Sequence, residues 1–166
     1  MDKFIKKVEE ICNKNKKVAM FIDMDGTIVE YVIYGSEKEL INSKNNFLDA
    51  EPINIVIDKL RKINKIENID LYILTLAKTT RIEQEKKEWL KNNVEFIDEK
   101  RWIIINKEKN EYNKENRDYI KAKKMEEKLA NYDSLIFLDD DHKILKKAKS
   151  ELEGRINVFH ISSALV

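Results

Sequence analysis

The residues able to do chemistry in this sequence collect behind short apolar runs. Asp23 and Asp25 follow Val18 to Ile22, Thr75 follows Ile69 to Leu74, and Asp139, Asp140 and Asp141 follow Leu135 to Leu138. If those runs are neighbouring parallel strands, the polar groups converge at one edge of a sheet, outside the carboxyl ends of the strands where ligands of such sheets sit. Several carboxylates aimed at one point repel each other unless protons or a cation intervene, and hard oxygen donors beside a phosphate suit Mg²⁺. With such an ion present, Asp23 is placed to attack the phosphorus of a phosphate monoester and form an aspartyl-phosphate. Asp25, two residues on, is the candidate to protonate the leaving oxygen and then to activate water.

Each motif alone has a plainer reading. Asp-Met-Asp-Gly at 23–26 also spells a turn, and a run of three aspartates also suits an exposed helix N-terminus, where carboxylates complement the helix dipole. Convergence behind separate apolar runs is what favours a site.

The elements that must hold these groups follow from the hydrophobic pattern. Phe4, Ile5, Val8, Ile11 and Cys12 predict an amphipathic helix over about 2–15, and the unbroken apolar run 18–22 predicts a strand buried on both faces. A helix is expected from near Pro52 to Ile63, a strand at 69–74, and a helix capped by Thr79 or Thr80 that runs to about Asn93 with Ile82, Trp89 and Leu90 on its apolar side. Further strands are predicted at 102–105, 135–138 and 156–161, with helices over 120–129 and 143–153 and a solvated loop over 106–118. Residues 28–51 show no clean period and read as a flap or small cap. Alternating helices and β-branched runs predict an α/β fold, a three-layer sandwich around a parallel sheet of about five strands. A chain of 166 residues suits a single domain over 1–166.

Composition bounds the partners. Hydrophobic residues at 42% and charged residues at 38% predict a globular, heavily solvated protein, and the near-neutral charge of +1 gives no support to a polyanion such as nucleic acid. Cys12 is the single cysteine, so no internal disulfide can form. No apolar run approaches a membrane span or signal peptide, which leads us to expect a cytoplasmic protein without membrane contact. Oligomeric state leaves no mark on the sequence.

The stretch Phe21-Ile22-Asp23-Met24-Asp25-Gly26-Thr27 resembles the first motif of the haloacid dehalogenase-like (HAD) hydrolases. Tyr72-Ile73-Leu74-Thr75 is similar to their second motif, and Leu135 to Asp140 to their fourth, in matching order over residues 18 to about 160. The resemblance implies a Rossmann-like sheet of strand order 5-4-1-2-3 with a small insertion after the first strand. It also implies a phosphatase with Asp23 as nucleophile, Asp25 as acid/base and Thr75 on the phosphate. Mg²⁺ is then bound by Asp23, the Asp25 backbone carbonyl and Asp140, with Asp139 in support. A lysine that balances nucleophile and phosphate is expected among Lys114, Lys121, Lys123 and Lys124, of which Lys121 fits the family pattern best. Phe47, Pro52 and Lys87-Glu88-Trp89-Leu90 bear a slight likeness to the deoxyribonucleotidase branch. The expected substrate is therefore a small phosphorylated metabolite, with nucleotides foremost, and Tyr31, Tyr34 and Arg81 are candidates to touch it. Two other readings stay open: a phosphatase acting on polynucleotide ends, and a phosphate-accepting or Mg²⁺-binding regulatory module without turnover. His142 reads as a helix-start residue and His160 as structural.

Overall fold

A computed structural model describes residues 2–31 and 47–166. The first helix, α1 (Lys3–Asn13), starts where the Asp2 side chain accepts the Ile5 N–H and buries Phe4, Val8 and Cys12. Strand β1 (Val18–Ile22) is buried along its whole length, as its unbroken apolar run requires. Helix α2 (Asn54–Ile63), strand β2 (Ile69–Ala77), helix α3 (Thr80–Asn93), strand β3 (Trp102–Asn106), helix α4 (Ile120–Glu126), strand β4 (Ser134–Asp139), helix α5 (His142–Glu151), strand β5 (Ile156–His160) and the short helix α6 (Ser162–Leu165) follow.

All five strands are parallel, in the order β3-β2-β1-β4-β5. This is the order 5-4-1-2-3 read from the opposite edge, so the predicted three-layer α/β sheet of Rossmann-like topology is what the chain forms. Period-two alternation divides the core. Val18, Met20 and Ile22 of β1 and Ile136 and Leu138 of β4 face one cluster with α1, α2 and the Trp89–Leu90 end of α3. Ala19 and Phe21 of β1, with Leu135 and Phe137 of β4, face a second cluster built on α4 and α5.

Some boundaries differ from expectation. Pro52 lies before α2, in an isolated bridge with Val29, rather than in the first turn of the helix. Strand β2 runs three residues past Leu74, because β3 is staggered outward and pairs with it from Ile73 to Ala77. Thr75 is therefore inside the strand. Helix α4 stops at Glu126 and a 3₁₀ turn at Leu129–Asn131 completes the segment. Helix α6 follows β5 where no helix was expected. The centre of the proposed flap, 32–46, lies outside the described residues; its flanks do not. Glu30 donates to the Glu51 carbonyl and Ile53 to the Ile28 carbonyl, which closes the base of the segment, and Phe47 packs edge-on against Trp89. Among the described residues, no helix is long and apolar enough to cross a membrane.

Candidate active site

The carboxyl ends of β1 and β4 lie side by side, paired in register from Val18↔Ser134 to Ile22↔Leu138, and Asp23 N–H continues the ladder onto the Leu138 carbonyl. This pairing brings Asp23 and Asp139 together. β1 stops after Ile22, and a tight turn follows in which Thr27 and Ile28 donate to the Met24 carbonyl and Gly26 to that of Val29. Gly26 has φ +76, and a Cβ there would stand 2.5 Å from Asp140 Oδ2 and 2.6 Å from the Tyr31 ring. Only glycine meets both demands. Although the strand does not persist to Asp25, both carboxylates line one cleft with Lys121, Asp139 and Asp140, and Tyr31, Arg117, Leu76 and Ile144 are among its walls.

Lys121, in the first turn of α4, is 2% exposed. Its ammonium donates to Asp23 Oδ1 at 2.7 Å and to Asp139 Oδ2 at 2.8 Å. Burial opposes its charge, but the two carboxylates overcome that cost and hold its pKa above the ordinary lysine value. Among the other lysines considered, Lys114 and Lys123 are exposed, and Lys124 stands 3.9 Å from Glu127. The structure thus brings Lys121 to the aspartates and leaves those three outside the cleft lining.

The aspartate run divides three ways. Asp139 is 1% exposed, gives Oδ2 to Lys121 and accepts the Asp141 N–H on Oδ1. Asp141 caps α5, its Oδ1 accepting from Lys143 and Ile144 N–H, so the helix-terminus reading holds for this one member. Asp140 is the intermediate case, and it faces Asp23. Burial first, and then the charge and hydrogen bond of Asp23, push the Asp140 carboxyl up to about 7. Burial likewise raises Asp23, against the pull of Lys121.

Oxygens of Asp23, Asp139 and Asp140 lie within 4.8 Å of one another. An all-carboxylate set of this kind fits a hard divalent cation such as Mg²⁺. The Asp25 carboxylate is not part of this cluster. Its Oδ2 is taken at 2.6 Å by Lys86, a residue the sequence reading passed over.

Thr75 was expected on the phosphate. It is fully buried, is absent from the cleft lining, and its hydroxyl accepts the Lys86 ammonium at 2.7 Å. The reason is the extension of β2, which carries Thr75 into the sheet and leaves Leu76 as the strand's residue on the cleft. Among the substrate-contact candidates, Tyr31 is 65% exposed on the cleft, Arg81 pairs with Glu85 at 3.2 Å outside the cleft lining, and Tyr34 lies outside the described residues. His142 opens α5 as expected, and its ring stacks on that of His160 at 4.2 Å. His160 in turn contacts the Asp140 carbonyl at 3.1 Å.

No model of a known protein family matches the chain. No curated protein sequence matches it either. Among solved structures, the chain is similar to the HAD domain of effector protein Lem4 from Legionella pneumophila, at 15% identity, over 87% of this chain and 85% of that one, with a TM-score of 0.45.

Proposed function

We propose that this chain is a Mg²⁺-dependent phosphomonoester hydrolase of HAD type, acting on a small phosphorylated substrate through an aspartyl-phosphate on Asp23. The observation that carries the reading is the buried Asp23 carboxylate at the end of the central strand, clamped by Lys121 and facing two further aspartates across an open cleft. A divalent cation held by Asp23, Asp139 and Asp140 would offset the charge of the phosphate dianion and polarise the phosphoryl group.

The rest falls to the chain's own groups. Lys121 fixes Asp23 Oδ1, and the Thr27 hydroxyl donates to Asp23 Oδ2 at 3.2 Å, so the carboxylate is oriented before substrate arrives. One Asp23 oxygen forms a bond to phosphorus as the ester P–O bond breaks, and the departing alkoxide takes a proton from Asp25. Water then attacks the phosphorus of the aspartyl-phosphate and loses its proton to Asp25. Inorganic phosphate leaves and the Asp23 carboxylate is restored. Because Lys86 occupies Asp25 Oδ2, the other oxygen of Asp25 is the one that exchanges the proton.

The test is release of inorganic phosphate from a panel of phosphorylated metabolites, nucleoside monophosphates included, with Mg²⁺ and with EDTA, for the wild type and Asp23→Asn. Turnover that needs both Mg²⁺ and Asp23 supports the reading. A complete absence of turnover, or turnover indifferent to Asp23→Asn, rejects it. A stable phosphorylated protein without turnover would move the assignment to a phosphate-accepting regulatory module.

A further inference from the structure

Lys86 is 2% exposed, on the same face of α3 as Ile82, Trp89 and Leu90, yet its ammonium reaches the edge of the cleft. Its three N–H donors are matched by three acceptors: Asp25 Oδ2 at 2.6 Å, Thr75 Oγ1 at 2.7 Å and the Leu76 carbonyl at 2.7 Å. The same nitrogen stands 5.4 Å from the centre of the Phe47 ring, within range of a cation–π contact. An ammonium has three protons and no acceptor capacity, so nothing remains with which Lys86 could bind a phosphate.

From this geometry we infer that Lys86 is a positioning residue for the acid/base group Asp25, and that Thr75 acts through Lys86 rather than on the substrate. The inference rests on the phosphohydrolase reading. Thr75 and the Leu76 carbonyl are both on β2, which is hydrogen-bonded between β1 and β3, and both accept from the ammonium. The ammonium then holds one oxygen of Asp25, whose side chain is 37% exposed and whose backbone stands on the turn after β1, bridged to Val29. Backbone pairing fixes the chain but not the carboxylate, and Lys86 holds the latter by a charge-assisted bond, the shorter and stronger class. Asp25 lines the cleft, and Lys86 takes only its Oδ2. A base or acid must lie within hydrogen-bond reach of the oxygen it serves, and small misplacement is costly in rate.

This assignment separates two effects that kinetics can resolve. Lys86→Met and Thr75→Val should lower kcat for alkyl phosphates by about tenfold or more, a part of the general acid–base contribution. Where phosphorylation limits the rate, the loss should shrink for p-nitrophenyl phosphate, whose leaving group needs little protonation. Affinity for inorganic phosphate in the presence of Mg²⁺, measured by calorimetry, should stay within about twofold of wild type, since neither side chain touches the anion on this account. Thr75→Val added to Lys86→Met should bring no comparable second loss, because residues acting as one unit are not additive. Folding should survive Lys86→Met, because the stem packs among apolar residues and Asp25 can be rehydrated; thermal melts of the same samples check this. If Lys86→Met does not fold, Lys86→Gln, which keeps a polar head, carries the same comparison.

A Thr75→Val variant that binds inorganic phosphate more than tenfold weaker would overturn the inference and restore Thr75 to the anion. Equal losses on activated and unactivated substrates in the Lys86 variant, with phosphorylation shown to limit turnover of both, would overturn it too. In both cases wild-type turnover leaves the phosphohydrolase reading standing. Absence of turnover in the wild type removes that reading, and the inference with it.

Discussion

Replacing Lys121 with methionine keeps a side chain of comparable length and removes the charge. What remains is Asp23 at 5% exposure, with the weak Thr27 donor and its hydrogen bond with Asp140, and Asp139 at 1% exposure, with the Asp141 N–H. Removing one partner of a buried, hydrogen-bonded charge pair typically costs about 3–5 kcal/mol, because the other partner stays buried and uncompensated. Small domains have about 5–15 kcal/mol in total, so Lys121→Met should fold but denature at clearly lower urea. The deficit should depend on pH. Burial already raises Asp23, and Lys121 is the chief influence pulling it back; without the ammonium it rises further. A carboxyl whose folded pKa exceeds its unfolded value contributes stability that is present below the unfolded pKa and lost as pH climbs through the folded one. The deficit against wild type should therefore be smaller near pH 4 than near pH 8. Mg²⁺ should protect the variant more than the wild type, because the ion no longer competes with an ammonium for Asp23 and Asp139. Urea titrations followed through Trp89 and Trp102 fluorescence, at both pH values with and without Mg²⁺, give the four numbers needed. Lys123→Met and Lys124→Met serve as controls and should stay within about 0.5 kcal/mol of wild type. A Lys121→Met deficit that is the same in all four conditions would refute the electrostatic reasoning.

Mg²⁺ must displace the proton that burial and the charge of Asp23 hold on Asp140 below about pH 7, so its apparent affinity should rise with pH between 5.5 and 8. Calorimetry in buffers of different ionisation enthalpy measures the proton released; equal affinity at pH 5.5 and pH 8 would contradict this. Gly26→Ala should destabilise by about 1–3 kcal/mol, from the left-handed backbone alone about 1–2. The rest comes from the contact with Asp140, and chemical denaturation with parallel Mg²⁺ titration should show both stability and metal affinity falling. Asp25→Asn should slow turnover of alkyl phosphates by about 10²-fold or more, with a smaller loss on p-nitrophenyl phosphate where phosphorylation limits the rate; an equal loss on both would count against its role as acid.

Much of this arrangement was legible in the chain. The run 18–22 read as a strand buried on both faces, and three such runs ending in Asp or Thr predicted a parallel sheet with polar residues gathered at one edge. The order of the strands came from the resemblance, and the hydrogen-bonded register agrees with it. Periodicity failed where elements are short, as at α6 and the 3₁₀ turn after α4, and it cannot see stagger between neighbours, which is why β2 was ended too soon and Thr75 was placed on the cleft. The run Asp139-Asp140-Asp141 offered two readings, a site and a helix cap, and the chain uses both within three residues. Lys86 is a different kind of omission. It is four residues after Ile82 and three before Trp89, so it belongs to the apolar face of α3, and a lysine in that row calls for an acidic partner. The signal was present, but a search for strand ends passes over helix interiors.

The centre also has a history in folding time. Asp23 and Lys121 are 98 residues apart in the chain, and β1 meets both neighbours only through distant pairings with β2 and β4. Non-local parallel pairing closes late and slowly, since loop entropy is spent before its contacts form. No local fragment of this chain can hold the aspartates together, so a cation that needs all three recognises only molecules in which the sheet has already closed. Such a ligand acts on escape from the native state: it lengthens the lifetime of the finished molecule, while the rate at which new chains reach that state is left to the strands.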